Sequence, residues 1–184
     1  MIYVFLADGF EELEALAPVD LLRRVGTINK ELGLNVQTVG VGGKAVTGRS
    51  GITVTCDITE DEADIQACTD VILPGGPGRV NLAKSQVALK SIEAVAQRGG
   101  LLAAICGSPP ILGKHLEGKN ICCHYSVKDE ITDAKILYVP VVTDGNVITS
   151  RGAGTSIDFA MAIAEYLAPA ETAAELARQV VYER

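Results

Sequence analysis

The sequence predicts an α/β sandwich, a mostly parallel sheet with helices on both faces. Two observations carry that reading. Short, continuous apolar runs such as IYVFLA (2–7) and DVILPGG (70–76) recur along the chain, as expected of strands covered on both faces. Longer amphipathic stretches with helical spacing lie between them, and repeated strand–helix alternation implies parallel pairing. In such sheets ligands bind outside the carboxyl ends of the strands, at the switch in strand order. The loops after residues 7, 73 and 106 are therefore the places to search.

The elements follow in order. After the first strand, a helix is expected from about Glu11 to Lys30, then a strand over NVQTVGV (35–41). KAVTGRSGITVTC (44–56) reads as a hairpin with Gly48 or Gly51 in its turn. The strand at 70–76 leads into a helix over about 79–98 that Gly99-Gly100 terminates. LLAAIC (101–106) is a strand, followed by a short helical piece to His115 and a strand NICCHY (120–125). ILYVPVV and NVITS flank Thr143-Asp144-Gly145, an Asp-Gly hairpin signal. Thr155 and Ser156 can cap a helix to about Leu167, with Asp158 in the acceptor position of a capping box, and a last helix spans about 170–181.

Composition narrows the function classes. With 184 residues, 48% hydrophobic, and no repeat or linker-like stretch, the chain is expected to form one domain over 1–184. A net charge of −7 without any basic block argues against a nucleic-acid partner. No apolar run approaches the roughly 20 residues of a membrane span. The N-terminal run lacks a basic leader and meets Asp8 and Glu11 at once, so a cytoplasmic location is expected. Five cysteines, an odd number, match no metal-binding spacing, so no metal site is expected and the thiols should stay reduced. Cys122 and Cys123 are adjacent; on a strand they would face opposite ways and could not share one ion.

Three loops hold the candidate chemistry. In ADGFEELEA the acids Asp8, Glu11, Glu12 and Glu14 crowd a helix start where a phosphate would sit, which excludes FMN and NAD and leaves no cofactor expected. Glu11 and Glu12 read as acids favoured by the helix dipole. Glu14 shares the apolar stripe of Phe10, Ala17, Pro18, Leu21 and Val25, whereas Glu12, Asp20 and Arg23 should point the opposite way. A carboxyl on the packed stripe should have a raised pKa. The second loop, PGGPG (74–78), is either a plain tight turn or a source of backbone amides for an anion. The third, LLAAICGSPP (101–110), has the form of a nucleophile elbow with Cys106 at its apex. A thiol at a helix start should have a lowered pKa, yet free cysteines usually just pack, and this loop alone leaves both readings open. Cys56, Cys68, Cys122 and Cys123 read as packing residues and His115 as a surface residue. His124 follows NICC near the same sheet edge and is either a proton shuttle or a bystander.

Together, ADGFEELEALAPVDLLRR, DVILPGGPG, LLAAICGSP and TSRGAGTSIDFA resemble the DJ-1/PfpI (ThiJ) superfamily over nearly the whole chain, most closely its parkinsonism-associated branch. The resemblance implies a flavodoxin-like three-layer sandwich. It also implies Cys106 as the reactive residue, Glu14 as the buried acid, Gly75, Gly76 and Gly107 around the anion pocket, and His124 beside the cysteine. Arg24 and Arg49 stand where two arginines approach the pocket in homodimers of that branch, and Arg151 lies in the TSRGAGTS loop. The PfpI-type proteases carry histidine directly after the cysteine; Gly107 stands there, where the branch usually has alanine, so a peptidase is the least favoured reading. The function implied is a cofactor-free glyoxalase III or deglycase acting on α-oxoaldehydes, a small carbonyl substrate. The alternative is a redox-responsive protein or chaperone switched by oxidation of Cys106.

Overall fold

A computed structural model describes residues 1–183. Its strands are β1 (Ile2–Ala7), β2 (Val36–Val41), β3 (Ala45–Thr47), β4 (Thr53–Thr55), β5 (Ile58–Thr59), β6 (Asp70–Leu73), β7 (Leu102–Ile105), β8 (Asn120–Ile121), β9 (Lys135–Ile136), β10 (Val141–Asp144) and β11 (Val147–Ser150). The α-helices are α1 (Glu12–Ile28), α2 (Arg79–Leu82), α3 (Gln86–Gln97), α4 (Ser156–Leu167) and α5 (Ala170–Gln179). Seven strands form one sheet in the order β10-β11-β7-β6-β1-β2-β5. All its pairings are parallel except β10–β11, the hairpin that turns at Gly145. The expected α/β sandwich is what the chain forms.

The alternation of side chains along β1 divides the core. Ile2, Val4 and Leu6 pack with α1, α4 and α5 on one face; Tyr3, Phe5 and Ala7 pack with α3 and the 3-10 segment 109–116 on the other. All six residues are buried, which is why the run reads as uniformly apolar. Because β2 follows β1 on one side and β6 flanks it on the other, the switch in strand order falls at β1, and the loops after β1, β6 and β7 meet at one edge.

Several local expectations are corrected. The helix expected over 79–98 is two, because Ser85 starts a new one by accepting from the Ala88 amide at 3.1 Å. The piece after Cys106 is 3-10 rather than α-helical, with prolines in its first turn. Of NICCHY only Asn120–Ile121 is strand, paired with β9; Cys122 and Cys123 lie in irregular but buried backbone, so the apolar run reports burial and not extension. The capping box at α4 is absent. Thr155 Oγ1 instead bonds Ser150 Oγ at 2.6 Å and the Gly152 carbonyl at 2.9 Å, while Asp158 accepts from the Tyr182 hydroxyl. The first helix stops at Ile28 and the last at Gln179, short of the expected Lys30 and residue 181. Glu12, expected to face outward, is 5% exposed: the hairpin β3–β4 folds over the first turn of α1 and the Ser50 amide donates to its Oε1 at 2.7 Å.

Candidate active site

Cys106 directly follows β7 in the left-handed region at φ +64°, one of two non-glycine residues with positive φ among those described. Strain of this kind persists only where neighbours hold it. The Cys106 amide donates to Ser150 O at 2.9 Å, its carbonyl accepts from His124 N at 2.8 Å, and the buried Ser108 hydroxyl donates to Pro74 O at 2.6 Å. The elbow is thus fastened to β11, to the segment carrying His124 and to the glycine loop.

The glycine loop meets the start of α1 at close range. Gly76 takes φ +82°, and a methyl on it would lie 2.5 Å from Gly9 O. Gly9 and Gly78 pack backbone on backbone, with Gly78 N donating to Gly9 O at 2.9 Å. Such approaches are open to glycine alone. Glu11 caps α1 by accepting from the Glu14 amide at 2.9 Å, which fixes Glu14 in the first turn with its carboxyl turned inward. Glu14 is 1% exposed, and its Oε2 accepts from Gly75 N at 2.8 Å.

Glu14 and Cys106 face each other across this junction. Burial raises the Glu14 carboxyl to about 7, against the opposing hydrogen bonds of the Cys106 thiol and the Gly75 amide; Glu11 adds to the rise and Arg49 lowers it. Burial, and then the Glu14 carboxylate, push the Cys106 thiol up to about 12, with the amides of Gly76 and Gly107 pulling the other way. The lowered thiol pKa expected from the sequence is therefore corrected: a short 3-10 turn offers little dipole, and a carboxylate is the nearest charge. At neutral pH the thiol keeps its proton while Glu14 is about half ionised, so the Glu14 carboxylate is the group positioned to take the thiol's proton.

The remaining predicted residues fall in different places. Gly152, after β11, closes the fourth side; a methyl on it would be 3.8 Å from Glu14 Oε1, 3.8 Å from His124 Cδ2 and 4.0 Å from Cys106 Sγ. His124 therefore shares the site, with Nδ1 accepting from the Ser126 amide at 3.3 Å and 2.8 Å from its hydroxyl, so a neutral ring carries its proton on Nε2. Arg49 is close enough to act on Glu14, whereas Arg24 is exposed on α1 in an ion pair with Asp20 at 3.0 Å. Ten helical residues, roughly 15 Å of rise, separate Arg24 from Glu14. Cys56, Cys68, Cys122 and Cys123 are all buried, and His115 pairs with Glu93 at 3.0 Å. Among the described residues no cluster of His, Cys, Asp or Glu could hold a metal ion. Sequence reasoning assigned nothing to Gly152, Ser108 or Arg79, although TSRGAGTS contains the first and the elbow stretch the second.

A family model for "DJ-1/PfpI family" matches residues 1–166 of the chain. The chain belongs to the DJ-1/PfpI family. Within it, the sequence is 38% identical over 181 residues to the Parkinson disease protein 7 homolog of Danio rerio, covering 94% of this chain and 92% of that one. It is 32% identical over 163 residues to a protein of Caenorhabditis elegans named glutathione-independent glyoxalase DJR-1.2, covering 87% and 84%. The fold is similar to the crystal structure of Drosophila melanogaster DJ-1beta, with a TM-score of 0.90 at 33% identity over 100% of this chain and 98% of that one. The DJ-1/PfpI assignment accords with the strand order and the flanking helices described above.

Proposed function

We propose that this protein is a cofactor-free, cysteine-dependent enzyme that converts α-oxoaldehydes to 2-hydroxy acids, with methylglyoxal as the model substrate. The observation that carries the reading is the pairing of a strained, partly exposed Cys106 with a buried carboxyl whose pKa stands near 7. The relative named as a glyoxalase supports the choice of substrate.

The chemistry balances with water as the only co-reactant. Cys106 Sγ adds to the aldehyde carbon as Glu14 takes the thiol proton; the amides of Gly76 and Gly107 hold the oxyanion until Glu14 passes that proton to it, which gives a neutral hemithioacetal and leaves Glu14 ionised again. Glu14 then removes the hydrogen from that carbon and returns a proton to the neighbouring one; the aldehyde carbon is oxidised and the ketone carbon reduced. Water cleaves the resulting thioester, His124 assisting the proton transfer, and lactate leaves with the thiol restored. Early adducts of the aldehyde on amines or thiols would enter by collapsing first: the C–N or C–S bond breaks, the departing amine or thiol takes up the hydroxyl proton, and the freed aldehyde adds to Cys106 as above. Purified protein given methylglyoxal should form lactate, and Cys106→Ala should lose at least about 10³-fold of that rate. Equal rates in the two proteins would remove the proposal.

A second reading, a redox-responsive role, is favoured by one specific observation: Cys106 is the only cysteine that is not buried. Mild peroxide should add two oxygens at Cys106 ahead of the other four thiols, since a protonated Glu14 can donate to a sulfinate. Intact-mass measurement followed by peptide mapping checks it; even oxidation over all five thiols counts against it.

A second copy of the chain is the partner we assign. Exposed Leu13, Ile52 and Ile157 line one apolar groove of about 400 Å³ beside α1, a surface suited to a homodimer. In that assembly Arg24 and Arg49 are the candidate anion contacts at the pocket.

A further inference from the structure

Arg79 opens α2 directly after the PGGPG loop, and its amide donates to the Gly76 carbonyl at 3.1 Å. Its side chain runs to Glu130, at the end of the 3-10 segment that His124 caps. There the guanidinium closes on the carboxylate with two bonds, Nη1 to Oε2 at 3.0 Å and Nη2 to Oε1 at 2.7 Å. On the way the stem lies across Gly107: a methyl on Gly107 would sit 2.7 Å from Arg79 Cδ and 3.1 Å from Nε. Gly107 is buried, and its φ lies outside the left-handed region, so its backbone would accept alanine. The Arg79 stem occupies the space instead. One residue thereby touches the loop bearing Gly76 through its backbone, and through its side chain the residue after Cys106 and the segment that begins at His124.

We propose that Arg79, gripped by Glu130, is a positioning residue that holds the Gly107 amide against Cys106 and keeps the elbow in register with the His124 segment. The proposal rests on Cys106 as nucleophile, not on the identity of the substrate. Glycine has the freest backbone of any residue, and an amide that must meet a thiolate or an oxyanion has to be held within a fraction of an ångström. A planar fork closed on a carboxylate fixes direction as well as distance, which a lysine ammonium does not. The pair is partly exposed, with side chains 27% and 44% accessible, so it adds little to global stability and its effect belongs in reactivity.

The test compares Cys106 alkylation by iodoacetamide across pH, read by intact mass, with lactate formation from methylglyoxal. Arg79→Ala should slow alkylation at pH 8 and lower kcat by about tenfold, the scale of one lost charge-assisted hydrogen bond, with KM and melting temperature little changed. Arg79→Lys, which keeps a stem over Gly107 but loses the fork on Glu130, should fall between the parent and Arg79→Ala. Gly107→Ala alone should also slow the reaction because it displaces the Arg79 stem. The double variant Arg79→Ala/Gly107→Ala, in which a methyl replaces the stem, should return to within about threefold of the parent, since packing at the elbow is restored. Alkylation unchanged in Arg79→Ala, or a double variant no faster than Arg79→Ala, overturns the proposal. Should Arg79→Ala not fold, Glu130→Gln decides it: slower alkylation supports the clamp, an unchanged rate refutes it. Absence of lactate from the parent protein would sink the substrate reading while the alkylation series still decides this one.

Discussion

Cys106, just after β7, and Cys122, in irregular backbone beside β11, have thiols pushed to similar heights, about 12 and about 11, in both cases chiefly by burial. Their surroundings differ in kind. Cys122 is wholly buried, and its thiol donates to the Thr149 carbonyl at 3.1 Å, a neighbour that cannot take a proton away. Cys106 sits in a left-handed turn, partly open to solvent, facing a carboxyl that titrates near 7 with the amides of Gly76 and Gly107 beside the sulfur. What separates a nucleophile from a packed thiol here is a base within reach and donors for the resulting anion, not the acidity of the sulfur.

Removing the base should erase most of this difference. Glu14→Gln should lower methylglyoxal turnover by about 10²- to 10⁴-fold, the usual weight of a positioned proton acceptor. In the parent protein kcat/KM should rise with pH through about 7, as Glu14 ionises; in Glu14→Gln that step should vanish. A step near 7 that survives the substitution assigns the base to another group.

The same variant should also differ from the parent in stability. The folded protein holds the Glu14 proton up to about 7, against 4.5 for an ordinary glutamate, so stability falls as pH rises between those values. Above 7 the buried carboxylate carries a penalty of up to about 3 kcal/mol, which a neutral glutamine escapes. Thermal melts should show Glu14→Gln gaining on the parent from pH 4.5 to pH 8; a constant difference would deny the raised pKa.

The smallest effect belongs to the other thiol. Cys122→Ala should leave turnover within about twofold and cost about 1 kcal/mol in denaturant unfolding, the scale of a small buried truncation. A loss of turnover comparable to that of Cys106→Ala would erase the distinction between the two.

Much of this site could be read in the sequence because its signals are local. Glu14 stands on an apolar helical stripe, Gly75 and Gly76 follow a strand covered on both faces, and Cys106 precedes a glycine and two prolines; each is visible in a window of ten residues. What escaped is long-range. Glu12 is buried by a hairpin 38 residues away, through Ser50. Arg79 meets Glu130 across 51 residues with no periodic pattern to announce it. The Cys106 pKa depends on which charge ends up nearest, and the sequence shows a helix start there without showing Glu14 opposite it. The apolar pair Cys122-Cys123 reads as strand from composition because burial and extension leave the same signature over so short a run.

The contact between Gly9 and Gly78 bears on how such a site can change over generations. With backbone on backbone, a methyl on Gly78 would meet Asp8 O and Phe10 N at 2.7 Å, and one on Gly9 would meet Gly78 N at 3.0 Å. Neither position offers a side chain for variation to act on, so this joint is inherited whole or lost. Substitution is then left to the rim, where Arg79 and Arg151 carry side chains whose exchange alters reactivity without prising apart this backbone joint.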